Sequence, residues 1–478
     1  MAGTFYRKPV PSITVTFFDF RTFAPDNFFE KNIKVFLFLI RLIKQTHNKM
    51  LVKDKKIAIL GGGPGGLTLA RLLQMKGAEV TVYERDLNRD VRVQGATLDL
   101  HQESGLAALA EAGLMEAFIK NYRPGADKIC ITDNNATIFY DEHTEGSVKD
   151  FGNEHFRPEI DRGPLRNILL DSLQPNTVVW DSQFVNMSSV ANGWQLEFKN
   201  GSSATADIVI GADGANSKIR PFITSIKPFY TGVTAVEGSV YDAASATPGI
   251  WQLMKGGKIF AFGDEKNVIV SSKGDGSLVF YTSCKKDENW VKDCGIDFSD
   301  KVQLLHWFKK DFPEWGTIWH TLFENSQTYF IPRPIYCMPL AQTWKALPNL
   351  TMLGDAAHLM PPFAGEGVNM AMLDALELST QLTNNEHKNL QTAIAAYEDQ
   401  MRITASHAAK GSLENTEWMH GKNAIEIMLQ MFSGEDKTNY YRISHTVIRA
   451  KNHQQQQPIF KSYHQQPVGY LCTEMFIN

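Results

Sequence analysis

The stretch KKIAILGGGPGGLTLARLL, beginning at Lys55, constrains this chain more than any other. An apolar β-branched run leads directly into Gly61, Gly63 and Gly66 in the pattern GxGxxG, and a helix-forming run follows. Glycines at these spacings permit a tight turn, close approach of backbone to a pyrophosphate, and close strand–helix contact. The helix N-terminus then faces the phosphates. The next strand, EVTVYER, ends in Glu84 and Arg85 about twenty residues on. An acid there can accept from a ribose 2'-hydroxyl and disfavours a 2'-phosphate, which suits the adenosine of FAD or NAD.

Two later stretches choose between them. DIVIGADGANSKIR is an apolar strand carrying Asp213-Gly214 at its end, with Ser217 and Arg220 beyond. LTMLGDAAHLMPPFAGEGVNMAMLDALELS is a second such strand, ending in Gly354-Asp355 before a Pro-Pro turn, a Gly-rich loop and a long helix. An NAD dehydrogenase needs neither. Together the three motifs resemble the group A flavoprotein monooxygenases, the FAD-dependent aromatic hydroxylases. The resemblance implies that Asp213 belongs to the FAD site and that Asp355 binds the ribityl chain. It sets Pro362, Gly365, Gly367 and Asn369 around the isoalloxazine, with a helix from about Val368 aiming its positive end at the ring.

A narrower likeness lies in YERDLNRDVRVQGATLDLHQESGLAALAEAGL, EIDRGPLRNILLDSL and GDAAHLMPPFAGEGVN. From about Lys55 to Phe432 the chain is similar to the tetracycline-inactivating flavin monooxygenases, the tetracycline destructases. That similarity implies NADPH contact for Arg92, FAD contact for Asp99 and Arg166, and the adenosine end for Glu84 and Arg85. Independently, Arg166 falls on a helix with the N-cap candidate Asp161 and a buried face of Leu165, Ile168, Leu169 and Leu173, which can hold a guanidinium against a phosphate. The substrate half departs from the pattern. Glu237, Lys258 and Val279 stand where those enzymes carry a glutamine, an arginine and a histidine, the glutamine a drug contact, and Glu366 replaces the glutamine of the flavin loop. The cofactor chemistry is untouched by these changes, and the substrate becomes either a tetracycline in another pose or another polycyclic phenol or enol.

The expected fold is α/β: a Rossmann-like FAD-binding domain of the aromatic-hydroxylase type, an interleaved mixed β-sheet substrate domain and a C-terminal bridging helix. Residues 55–124, 155–228 and 348–389 form the first domain, 125–154 and 229–347 the second, and 390–432 the C-terminal helices. Residues 1–54 read as a dispensable extension and 433–478, rich in Gln, as a disordered tail. Hairpins such as KICITDNNATIFYD and GWQLEFKNG should build the wall over the flavin.

With 48 Lys plus Arg against 52 Asp plus Glu, the net charge of -4 offers no basic field for nucleic acid or anionic membrane. The run NIKVFLFLIRLIKQ is interrupted by Arg41 and falls short of the ~20 residues that span a bilayer. Five scattered cysteines without CxxC spacing fit a reducing cytoplasm and argue against a zinc site. No Ser-His-Asp, paired-carboxylate or metal-ligand constellation stands out, so no catalytic acid or base is assigned, and His358 reads as a packing residue. The expectation is a monomer that uses FAD, NADPH and O2 to place one oxygen atom on a small planar substrate. The rivals are an FAD-dependent reductase or oxidase and a flavoprotein that only sequesters its ligand.

Overall fold

A computed structural model describes residues 51–433 apart from 92–94, 145–149, 152, 154–155, 192 and 328. The expectations for Arg92, the N-terminal extension through Met50 and the tail beyond Ser433 lie outside the described residues.

Five parallel strands form the nucleotide sheet, in the order Leu350–Met352, Ile208–Gly211, Lys56–Leu60, Glu79–Tyr83, Val178–Val179. Its central strands read as unbroken apolar runs because both faces are covered; Ile57, Ala58, Ile59 and Leu60 are each buried. The helix Pro64–Met75 starts with proline at its first turn, where the missing N–H costs nothing, and buries Leu67, Leu69, Leu72 and Leu73. Against it packs the helix Glu366–Thr383.

A seven-stranded sheet forms the second half, in the order Ile331–Cys337, Phe229–Val240, Leu278–Lys285, Lys266–Ser272, Lys258–Gly263, Ile129–Asp133, Ile138–Asp141. One face is apolar: Val236, Ile259, Val270 and Phe280 pack with Trp307, Phe308, Trp319 and Phe323 of the helices Lys301–Asp311 and Thr317–Glu324. Alternation along the strands turns Glu237, Tyr281, Lys258 and Arg333 to the opposite face.

The strands Phe184–Val190, Gly193–Phe198 and Ser203–Ala206 correct one expectation. They form a separate antiparallel sheet that packs Phe184, Met187, Leu196 and Phe198 onto Ala58, Leu60, Val209 and Leu350, and so back the nucleotide sheet instead of joining the wall. Their hydrophobic alternation suits any sheet with one buried face, which is why sequence did not distinguish the two locations.

The 30-residue helix Leu390–Met419 opens with a capping box between Asn389 and Thr392. Near its start Tyr397 Oη donates to the Met352 carbonyl at 3.0 Å, and Glu398 accepts from Thr351 Oγ1 at 2.8 Å and Trp344 Nε1 at 2.9 Å. Just past its end the buried His420 lies 2.8 Å from Ser283 Oγ and 3.2 Å from Asn267 Nδ2, both on the seven-stranded sheet. The helix thus joins the two halves, and Ala424–Ser433 follows, covering Ile131 and Phe262 with Met428. No helix among the described residues is long and apolar enough to cross a membrane.

Candidate active site

The glycine motif divides into two roles. Gly61 has φ 118°, and a Cβ there would sit 2.2 Å from the Ala212 carbonyl oxygen; one on Gly66 would sit 2.1 Å from the oxygen of Gly61. Both glycines are demanded by backbone contact between strand, turn and helix. At Gly63 a Cβ would meet nothing within 4 Å, so this glycine borders open space at the helix N-terminus, as a pyrophosphate site requires. Glu84, 3% exposed, accepts from the Gly62 N–H at 2.6 Å and from the Asp86 N–H at 3.0 Å, which sets its carboxylate beside the turn. Arg85 is exposed.

Asp355 follows Gly354, whose φ is 60°. Arg220 holds this turn from below: its Nε donates to the Ala356 carbonyl at 2.7 Å and its NH2 to the Asp355 carbonyl at 2.9 Å. Among the described residues the Asp355 side chain has no hydrogen-bond partner, and burial pushes its carboxyl upward, against the charges of His358, Arg162 and Arg220. Asp213 accepts with Oδ2 from the Lys218 N–H at 2.6 Å, while its buried Oδ1 has no partner among the described residues. Unmatched acceptors on Asp355 and Asp213, with free space at Gly63, fit the hydroxyls and phosphates of FAD.

The helix after the Pro-Pro turn starts at Glu366, two residues before the expected Val368, preceded by one 3-10 turn at Pro362–Ala364 and by Gly365 with φ 70°. A Cβ on Gly365 would lie 2.8 Å from Asp99 Oδ1, and one on Gly367 3.9 Å from Asp355. The loop therefore runs between these two carboxylates. Asp99 meets His101 at 3.0 Å; burial alone would raise its pKa, but His101, Lys258 and Arg157 hold it well below the usual carboxylate range. Glu366 Oε2 lies 3.6 Å from the other side of the His101 ring.

Three residues are placed otherwise than expected. Asn369 is fully buried: its Oδ1 accepts from the His101 N–H at 2.9 Å, and its Nδ2 donates to the carbonyls of Asp99 at 2.9 Å and Gly365 at 3.2 Å. It braces the flavin loop, its amide committed to protein. Arg166 donates to Asp86 Oδ2 at 3.0 Å and to the Arg89 carbonyl at 2.9 Å, and lies over the Trp180 ring. Asp161 stands at the helix start without capping it; its carboxylate accepts instead from the Gly274 N–H at 2.9 Å.

The wall opposite carries a polar cluster that sequence reasoning missed in part. Glu237, 3% exposed, accepts from Arg333 Nε at 2.5 Å. Tyr281, its cross-strand neighbour, accepts from the Ala96 N–H at 3.2 Å, and Arg162 Nε donates to the Ala96 carbonyl at 3.0 Å. Arg162 keeps exposed surface; the protein packed around it lowers its pKa, against the pull of Tyr281, Glu237 and Asp355. Lys258 forms an ion pair with the buried Glu159, which takes up its charge, and Val279 is 1% exposed. Arg333 had a sequence signal: a lone charge between Pro332 and Pro334 in a strand. Its pairing with Glu237, 96 positions away, had none.

A parallel sheet with a glycine-rich turn, a second ligand turn at Gly354-Asp355 and a β-sheet wall define a flavoprotein of the aromatic-hydroxylase type. The chain belongs to the FAD binding domain family, which matches residues 54–289 and 340–412, and it is an FAD-dependent monooxygenase. The monooxygenase asqM of Emericella nidulans is 28% identical over 427 residues, 78% of this chain and 94% of its own length. Klebsiella pneumoniae HpxO, solved with FAD and uric acid, is similar in fold with TM-score 0.65 at 19% identity, covering 84% of this chain and 98% of that one. Tetracycline destructase Tet(51) is similar with TM-score 0.60 at 17% identity, covering 84% and 97%. Likenesses at such identity carry the fold.

Proposed function

We propose that the protein hydroxylates a planar, electron-rich phenol or enol, drawing electrons from NADPH, with tetracyclines the first compounds to test. The observation that carries this reading is the placement of Arg162, whose charge acts both on Asp355 at the Gly354-Asp355 turn and on Tyr281, Glu237 and Arg333 of the wall. FAD, when bound, supplies electron transfer and activation of O2. The chain's own contribution is positional. Glu84, Gly63, Asp213 and Asp355 would hold the cofactor. The N-terminus of Glu366–Thr383 presents backbone donors, which stabilise negative charge on the ring, and the wall excludes water. Unpaired cysteines among the described residues and a near-neutral charge favour a cytoplasmic protein, which we take to be a monomer.

The test is stoichiometry with purified protein, NADPH and a tetracycline. One oxygen atom gained by the drug per NADPH and O2 consumed supports the reading. Product without added oxygen indicates a reductase or oxidase, and tight binding without turnover indicates sequestration. NADPH drained to peroxide with every tetracycline unmodified moves the substrate to another aromatic compound.

A further inference from the structure

The wall presents donors and hides its acceptor. Glu237 is buried, and its charge is taken up by Arg333 Nε at 2.5 Å, while the Arg333 side chain is 44% exposed and its two terminal nitrogens meet no protein acceptor among the described residues. Arg162 uses Nε on the Ala96 carbonyl at 3.0 Å, and its own terminal nitrogens meet no acceptor among the described residues. Tyr281 receives the Ala96 N–H at 3.2 Å, so its hydroxyl hydrogen remains to be donated. These groups lie close enough for Arg162, Arg333 and Glu237 each to shift the ionisation of Tyr281. Two guanidinium groups and a phenol face Glu237, already paired with Arg333, and the Asp355 carboxylate, whose charge acts on Arg162, so the wall itself presents a surplus of donors. Such a surface complements an acceptor-rich anion, and a planar guanidinium held at Nε offers its outer edge to two oxygens at once.

We infer that Arg333, presented by Glu237 and flanked by Arg162 and Tyr281, anchors an anionic group on the planar substrate, a carboxylate or a delocalised enolate. Glu237 is then a positioning residue and not a contact to a substrate cation. The inference rests on the reading above that this wall faces the substrate.

The test uses the FAD-loaded full chain and matched probes: salicylate against salicylamide, and a hydroxynaphthoate against its amide, each titrated by the change in flavin absorbance. The acids should bind at least about tenfold more tightly than the amides, since a charged hydrogen-bonded pair is worth roughly tenfold to hundredfold. Arg333→Met should abolish that preference and leave amide binding within about twofold, and Arg333→Lys, which keeps charge without the fork, should fall between. Glu237→Gln should weaken acid binding although it adds net positive charge; tighter acid binding in that variant overturns the positioning role. Equal binding of acid and amide by the parent, or binding of neither in both pairs, overturns the anchor. Acid-selective binding with no oxygenated product from any compound leaves the anchor standing and sinks the hydroxylase reading. Oxygenation without acid preference does the reverse.

Discussion

His358 Nε2 lies 2.6 Å from Asp374 Oδ2, the same oxygen that accepts the Gly354 N–H at 2.7 Å. One helix carboxylate thus ties both ends of the turn that carries Asp355. Asp374→Ala should cost about 3–5 kcal/mol in stability, because it strands a buried imidazole and a buried N–H, and should release FAD as well. Asp355→Ala should retain the fold and lose only FAD. Thermal unfolding with the flavin-to-protein ratio separates the two, and full flavin occupancy in Asp355→Ala would refute the ribityl assignment.

Two buried histidines give stability opposite slopes with pH. Burial disfavours the charged His358 ring, but Asp374 outweighs it and holds the pKa above 6.5. Its contribution is therefore complete below 6.5 and fades as pH rises through the raised value. Burial takes His420 down to about 4 from 6.5, so its contribution is complete above 6.5 and is lost as pH falls toward 4, on the order of 3 kcal/mol. Denaturant midpoints across this range should show a maximum, with His358→Gln flattening the alkaline side and His420→Gln the acid side. Unchanged limbs would remove these residues as the cause.

Within the glycine turn, Gly61→Ala and Gly63→Ala should part company. The first drives a methyl to 2.2 Å from the Ala212 oxygen at φ 118° and should abolish soluble expression. The second meets no protein atom within 4 Å, so the apoprotein should melt as the parent does while FAD affinity falls at least about tenfold. Equal FAD affinity in Gly63→Ala would place the pyrophosphate elsewhere.

Packing is in place from Val52, which is fully buried. A chain beginning at Met50 should therefore fold and bind FAD as the full chain does, which flavin content after purification checks.

The cofactor half was legible because its signals are local. GxGxxG, the acid after the second strand and Gly354-Asp355 each specify a turn within a few residues of the strand they end. What sequence missed was partner choice across distance. Arg166 donates to Asp86, 80 positions back, and Asn369, on the helix that follows the flavin loop, reaches His101, 268 positions away. The substrate wall was least legible. Alternation says which residues share a face and nothing about which face looks inward, so Arg333 was not assigned and the hairpin of the backing sheet Phe184–Ala206 was set in the wall.

The helix Leu390–Met419, at ~1.5 Å per residue, is a rod about 45 Å long, fixed beside Met352 at one end and by His420 on the wall at the other. It acts as a calliper: the gap between the two halves is gauged by one stiff member, independent of the loops that cross it. Side chains on the wall can therefore be exchanged for those suiting a different guest while the host's spacing, and the reach from cofactor to guest, stays constant.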